Sequence, residues 1–151
     1  MEHIISFKTN FGWINAKEID DCIVSISIGK LKENKPSETL NKLKKDIQKY
    51  FLGQEIEWKF KLGIIGSSLQ KKIWKELEKI PYGKTRSYGF IAKKLKTSPR
   101  YVGNVCSQNK HLLIVPCHRV IRNDGQLGGF SGLGGIILKK RLLDLENGIK
   151  K

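Results

Sequence analysis

Residues 87–107 read SYGFIAKKLKTSPRYVGNVCS, and their punctuation decides the architecture of the second half of the chain. Ser87 stands where it can cap a short helix over 88–95. Lys96-Thr97-Ser98 breaks that helix, and Ser98-Pro99 opens another, with proline at the first helical position, where its missing N–H costs nothing. A short helix, a tight turn and a second helix is the outline of a helix-turn-helix. Many helical segments share that outline, so its weight depends on its surroundings.

Upstream, Ser67 or Ser68 caps a helix whose Leu69, Ile73, Leu77 and Ile80 recur at helical spacing before a Pro81-Tyr82-Gly83 turn. Downstream, the apolar run Leu112, Leu113, Ile114 and Val115 reads as a strand leading into Pro116-Cys117-His118-Arg119-Val120. Asn123-Asp124-Gly125 then reads as a hairpin turn between two short strands. Residues 125–135, GQLGGFSGLGG, hold six glycines, which suits close backbone approach to a ligand. They lack the strand-GxGxxG-helix setting of a dinucleotide site and the lysine of a phosphate loop. A last helix carries Ile136, Ile137, Leu142, Leu143 and Leu145 and ends at Asn147-Gly148.

The first part of the chain has a different rhythm. Residues 3–8, 12–18 and 22–29 read as three strands, with Asp20-Asp21 turning between the last two. In the third, Val24, Ile26 and Ile28 alternate with Ile23, Ser25 and Ser27. Pro36 and Ser37 start a helix with Leu40, Leu43, Ile47, Tyr50 and Phe51 on one face, and Gly53 stops it. A further strand is expected at 55–60. The two glycines and two serines of LGIIGSS, residues 62–68, mark the boundary. The expected fold is therefore α/β (α+β), with one domain over 1–66 and a mainly helical one over 67–151.

Charge falls on one side of that boundary. The 151 residues carry a net charge of +15; residues 1–66 hold 11 basic and 9 acidic side chains, and residues 67–151 hold 18 and 5. A net of +13 on the segment with the helix-turn-helix outline points to a polyanion, most simply nucleic acid. A Lys-rich solvated surface would carry matching acids, which this half lacks. No run approaches the ~18 apolar residues of a membrane-spanning helix. The opening MEHIISFKTN has Glu and His where a signal peptide is basic, so the expectation is a cytoplasmic protein without membrane association.

The three cysteines, Cys22, Cys106 and Cys117, are odd in number and widely spaced, which argues against a disulfide framework. Cys22 and Cys106 read as core. Three Cys and three His never adopt paired ligand spacing, so no metal site is expected. Cys117 is followed by His118 and Arg119, and a nearby imidazole or cation favours the nucleophilic thiolate. For a Cys-His pair alone, a buried structural cysteine is the plainer reading.

The pentapeptide Pro116-Cys117-His118-Arg119-Val120 changes that balance. With Gln70, Trp74, Ile80-Pro81-Tyr82-Gly83, Ser87-Tyr88, Ile91-Ala92, Arg100-Tyr101-Val102-Gly103, Asn109, Gly128-Gly129-Phe130-Ser131-Gly132, Leu142-Leu143 and Glu146, it resembles the O6-alkylguanine-DNA alkyltransferases, DNA repair proteins consumed by their own reaction. The resemblance runs continuously over residues 68–147. It implies a ribonuclease-H-like N-terminal domain, a three-stranded sheet plus helix, before a winged helix-turn-helix-like domain.

It also implies roles. Cys117 would accept the alkyl group from O6-alkylguanine once and irreversibly, with no cofactor, leaving O4-alkylthymine open as a second substrate. His118 would act as base toward the thiol through a water, Glu146 would polarise His118, and Asn109 would hold the turn before the cysteine. Tyr88 would donate to the purine; the backbone at Cys117 and Val120, with Ser131, would read its edge. Arg100, Tyr101, Gly103 and Asn104 on the second helix, with Ser87, Tyr88 and Arg119, would contact duplex DNA in the minor groove without sequence preference, Arg100 filling the gap left by a flipped base. The resemblance also implies a monomer. Tyr101, Lys110 and Phe130 depart from the family's usual small residue, Pro and Tyr. The alternatives are a non-enzymatic lesion-binding helix-turn-helix protein with a structural Cys, and a Cys-His hydrolase.

Overall fold

A computed structural model describes residues 1–128 and 135–148. The chain divides into two compact units, Met1–Ile64 and Ile65–Lys151.

In the first unit, strands β1 (Glu2–Thr9), β2 (Gly12–Ile19) and β3 (Cys22–Ile28) form an antiparallel meander, with Ile5 opposite Ala16 and Ile14 opposite Ile28. The β2–β3 turn places both Asp20 (φ 50°) and Asp21 (φ 65°) in the left-handed region, which Asp tolerates better than most residues. Helix α1 (Glu38–Phe51) is capped by the Ser37 hydroxyl, which accepts from the Leu40 N–H. It buries Leu40, Leu43, Ile47, Tyr50 and Phe51, and the sheet buries Ile5, Phe7, Ile14, Ala16, Ile23 and Ile26.

Two sequence expectations change here. The regular alternation in β3 fails: Ile23 and Ile26 are buried while Val24 is not. The pairing steps from Lys17–Ser25 to Glu18–Ile23, so Val24 is an extra residue in a bulge, and a bulge reverses the faces beyond it. The sheet also gains a fourth strand beyond the three-stranded outline, but not where it was expected. The fourth, β4, is only Lys61–Leu62, parallel to β3, whereas residues 55–60 form no strand.

The second unit begins with helix α2 (Ser68–Glu78), closed by a capping box between Ser67 and Gln70. Next come β5 (Arg86–Ser87), α3 (Tyr88–Lys94), capped by Ser87, and α4 (Pro99–Ser107), capped by Ser98 with proline in its first turn. Leu95–Ser98 makes the turn, with Lys96 left-handed at φ 57°. Ile73, Leu77, Ile91, Val102 and Val105 are buried, and the Trp74 indole N–H donates to the Val105 carbonyl (3.2 Å). Buried Glu76 accepts from Lys79 (3.2 Å) and Lys94 (2.7 Å), which hold its carboxyl below the usual range against the opposing effect of burial.

The apolar run 112–115 is a buried turn, not a strand; Val115 N–H donates to the His111 carbonyl (3.0 Å). It delivers the chain to a single 3-10 turn, Cys117–Arg119. Strand β6 (Val120–Ile121) follows, pairing in parallel with β5. The expected turn after it is present, Gly125 N–H donating to the Arg122 carbonyl (3.0 Å), but no second strand follows among the described residues. Helix α5 (Gly135–Glu146) ends the described fold. No helix among the described residues is long and apolar enough to cross a membrane.

Candidate active site

The site assembles around the Cys117–Arg119 turn, and Asn109 makes that turn possible. A buried loop without strand partners needs its polar groups satisfied locally. The Asn109 side chain does this: Oδ1 accepts from His111 N–H (2.9 Å), and Nδ2 donates to the Val115 carbonyl (2.8 Å) and to Cys117 Sγ (3.2 Å). Asn109→Ala strips partners from a backbone carbonyl and N–H, at about 1–3 kcal/mol for each group left unsatisfied, toward the lower end because both bonds are part-buried. Urea unfolding should register that loss; an unchanged midpoint would separate Asn109 from the loop's stability.

Cys117 is buried, and burial pushes its thiol above the ordinary value, opposed by the Asn109 hydrogen bond and by the charge of Lys139. His118 is fully buried, and burial pulls its imidazole below the ordinary value. Its Nε2 lies 2.6 Å from Glu146 Oε2, while its Nδ1 is buried and has no hydrogen-bond partner. Burial pushes the Glu146 carboxyl up, but His118 and Arg119 together bring it down to about 2. An ionised carboxylate only accepts, so Nε2 carries the hydrogen and Nδ1 presents a free lone pair.

Glu146 is held from three further directions. Arg119 Nε donates to Oε1 (2.8 Å), Arg119 Nη2 donates to Oε2 (3.1 Å), and the Gly83 N–H donates to Oε1 (3.3 Å). Arg119 Nη1 donates to the Ile80 carbonyl (2.8 Å), and its guanidinium lies 5.7 Å from the Tyr82 ring centre. This corrects the expectation for Arg119. Only 8% exposed, with its fork engaged inside the protein, it faces the Glu146 carboxylate rather than solvent.

A cavity of about 1030 Å³ opens onto Cys117, lined among others by Tyr88, Arg100, Gly103, Cys106 and Gly128. The structure thus brings the proposed acceptor, Tyr88 and the N-terminal end of α4 to one space. Gly128 packs against the Tyr88 ring: with φ at +74°, a Cβ there would meet Tyr88 Cε2 at 3.2 Å, so both backbone and space call for glycine. Arg100 and Asn104 are exposed on α4, and Tyr101 is half-buried. Half-buried Ser87 uses its hydroxyl to accept from Phe90 N–H (2.9 Å). Val120 is fully buried and its N–H is taken by the Cys117 carbonyl, which leaves only its own carbonyl for a base edge. Ser131 lies outside the described residues.

Residues 68–148 match the family described as 6-O-methylguanine DNA methyltransferase, DNA binding domain. The chain belongs to the O6-methylguanine-DNA methyltransferase family. A methylated-DNA–protein-cysteine methyltransferase of Sulfolobus acidocaldarius is 45% identical over 97 residues, spanning 64% of this chain and 61% of that protein. The one from Mycobacterium leprae is 38% identical over 135 residues, 87% of this chain and 78% of its own. The crystal structure of the Mycobacterium tuberculosis O6-methylguanine methyltransferase superposes with a TM-score of 0.86 at 30% identity, covering 100% of this chain and 96% of that one. Mycobacterium tuberculosis OGT in complex with DNA matches equally well, at 0.86 and 31% identity over 97% of this chain and 94% of that one.

One residue against Tyr88 was not anticipated. Lys139 on α5 is fully buried; its Nζ donates to Tyr88 Oη (3.2 Å) and lies 5.4 Å from the centre of that ring. Burial pulls the ammonium below its ordinary value and pushes the Tyr88 phenol up to about 12. The signal was present in the sequence. Lys139, Leu142, Leu143 and Glu146 stand at helical spacing, which puts a lysine on the same stripe as two leucines and Glu146.

Proposed function

We propose that this protein repairs O6-alkylguanine in DNA by transferring the alkyl group to its own Cys117, once and irreversibly. The observation that carries this reading is a buried thiol beside a buried imidazole whose free Nδ1 can take a proton, with Glu146 fixing the tautomer and a cavity leading to the sulfur. Kinship with methylated-DNA–protein-cysteine methyltransferases over the same residues supports it.

The thiol loses its proton to His118 Nδ1 through a bridging water, and the resulting Cys117 thiolate attacks the alkyl carbon. The new S–C bond forms as the C–O6 bond breaks, and its electron pair passes into the guanine. A proton from the Tyr88 phenol, moving to a purine ring nitrogen, quenches the charge on the leaving base. The phenolate left behind sits against the Lys139 ammonium, which is placed to stabilise it. The thioether cannot be hydrolysed by anything in the site, so each molecule reacts once.

A thiol this buried cannot reach a stacked base, so the lesion is turned out of the duplex into the cavity, at a few kcal/mol for unstacking. Exposed Arg100, at the start of α4, fills the vacated space from the minor groove, with Tyr101, Gly103 and Asn104 along the same helix and the excess positive charge of this unit supplying affinity for phosphates without sequence preference. The protein works as a monomer, in the cytoplasm with the genomic DNA. Intact mass after exposure to duplex containing O6-methylguanine tests the proposal; repeated turnover, or label on Cys22 or Cys106, overturns it, and tight binding without adduct favours the lesion-binding module instead.

Arg100→Ala separates finger from chemistry. Repair within a duplex should fall by roughly 10- to 100-fold, the scale of losing a few kcal/mol of compensation for unstacking, while reaction with a free O6-alkylguanine base is nearly unchanged. Single-turnover rates on the two substrates give the comparison, and equal losses on both would remove the finger role.

A further inference from the structure

We propose that Arg119 is the positioning residue that keeps His118 neutral, and therefore basic, in the resting site. The inference rests on the reading of Cys117 as acceptor and His118 as its base. A buried carboxylate 2.6 Å from an imidazole normally draws a proton onto the ring, because the pair Glu⁻–His⁺ carries no net charge in a medium that penalises charge. A ring protonated at both nitrogens has no lone pair to offer a thiol. Here Glu146 is already compensated: Arg119 contributes a fixed positive charge through two contacts of 2.8 and 3.1 Å, one to each carboxylate oxygen. The group Arg⁺–Glu⁻–His is neutral with the imidazole unprotonated, and adding a proton would leave a surplus charge without solvent.

The other groups around His118 agree with this. From α5 it faces Glu146 and Lys139, whose charge also resists protonation, and in its own turn it has Cys117 and Arg119 beside it. The connection between α2 and β5 brings the uncharged Gly83 N–H to Glu146, and the Ile80 carbonyl and the Tyr82 ring to Arg119. Only when the Cys117 proton arrives does the ring become cationic, and the thiolate formed in the same step balances it. Arg119 touches neither the sulfur nor the cavity, so its action passes through Glu146 and His118.

The test is nuclear magnetic resonance titration of the His118 imidazole in DNA-free protein labelled with nitrogen isotope in histidine, His3 and His111 serving as internal references. Arg119→Gln should raise the pH of half-titration of His118 by a factor of roughly ten or more in proton concentration, the scale of one unit charge at this range inside a protein. Arg119→Lys, which returns the charge, should move it much less. Glu146→Gln should lower it, and adding Arg119→Gln to Glu146→Gln should raise it again; this doubly uncharged pair decides the matter if Arg119→Gln alone does not fold. The acid limb of single-turnover alkyl transfer should move with the titration. A His118 titration unaltered by Arg119→Gln in either background overturns the proposal. Failure of every form to transfer alkyl overturns the reading of function, and the titration still decides on Arg119.

Discussion

Mixed with duplex DNA carrying O6-methylguanine, the protein should gain the mass of one methyl group and no more, on the peptide containing Cys117, and Cys117→Ser should gain none. The magnitude follows from the chemistry of the site. A serine hydroxyl in the same place must lose its proton to attack, and a neutral imidazole is far too weak a base to hold that proton for an unactivated alkyl carbon. His118 and Asn109 are arranged around a sulfur, whose thiolate is intrinsically far more nucleophilic and accessible near neutral pH. Loss should therefore be complete within the time of the experiment, with DNA affinity retained, because the cationic surface and α4 are untouched. The competing thiols are disfavoured by position: Cys106 lines the cavity, but the Asn109 hydrogen bond and the adjoining His118 belong to Cys117, and Cys22 lies in the other unit. A methyl group found on either of them, or a Cys117→Ser protein that still gains mass, would refute the assignment.

Glu146→Ala should be the most destabilising single substitution in this site, by about 3–5 kcal/mol, since it leaves the buried Arg119 guanidinium with only the Ile80 carbonyl and the Tyr82 ring face. That is a large part of the 5–15 kcal/mol typical of a folded domain, so urea unfolding of the variant should begin at much lower concentration. A matching pH dependence follows. Glu146 is held at about 2 against an ordinary 4.5, so its contribution is present above pH 4.5 and is lost as pH falls toward 2. His118 lies below its ordinary 6.5; the unfolded chain gains a proton there that the folded one refuses, so stability also declines as pH drops below 6.5. Both groups push the same way. Thermal midpoints should fall steadily from pH 7 toward pH 4, and Glu146→Gln should flatten the lower part of that fall. A wild-type protein equally stable at both pH values would contradict the buried charges.

Much of this was legible in the chain because the relevant signals are local. Ser87, Ser98 and Pro99 mark helix starts by chemistry that acts within three residues, and the caps form as written. Cys117, His118, Asn109 and Glu146 were legible for a different reason, the family resemblance over residues 68–147, and the fold pairs Asn109 with Cys117 and His118 with Glu146. What escaped depends on side-chain and pairing partners that composition does not reveal. The turn at 112–115 looks like a strand by composition, and only the Asn109 side chain closing it explains otherwise. Arg119 beside Cys117 and His118 in a cationic half of the chain reads naturally as a phosphate contact; its partner Glu146 is 27 residues away. The bulge at Val24 needs the pairing register of β2, which no single strand contains.

The burial of Cys117 costs reactivity, since a thiol pushed upward is mostly protonated and waits for His118 to release it. For a catalyst that regenerates, such reluctance would be a plain loss. A reagent used once faces a second hazard, which is spoilage before use. Peroxides, disulfides and stray electrophiles consume thiolates that are exposed and ionised, and every molecule oxidised in storage is a repair that never happens. Buried beside Asn109 and held as the neutral thiol, the sulfur should resist oxidation better than the free amino acid does, a property that suits a reagent meant to be consumed only once.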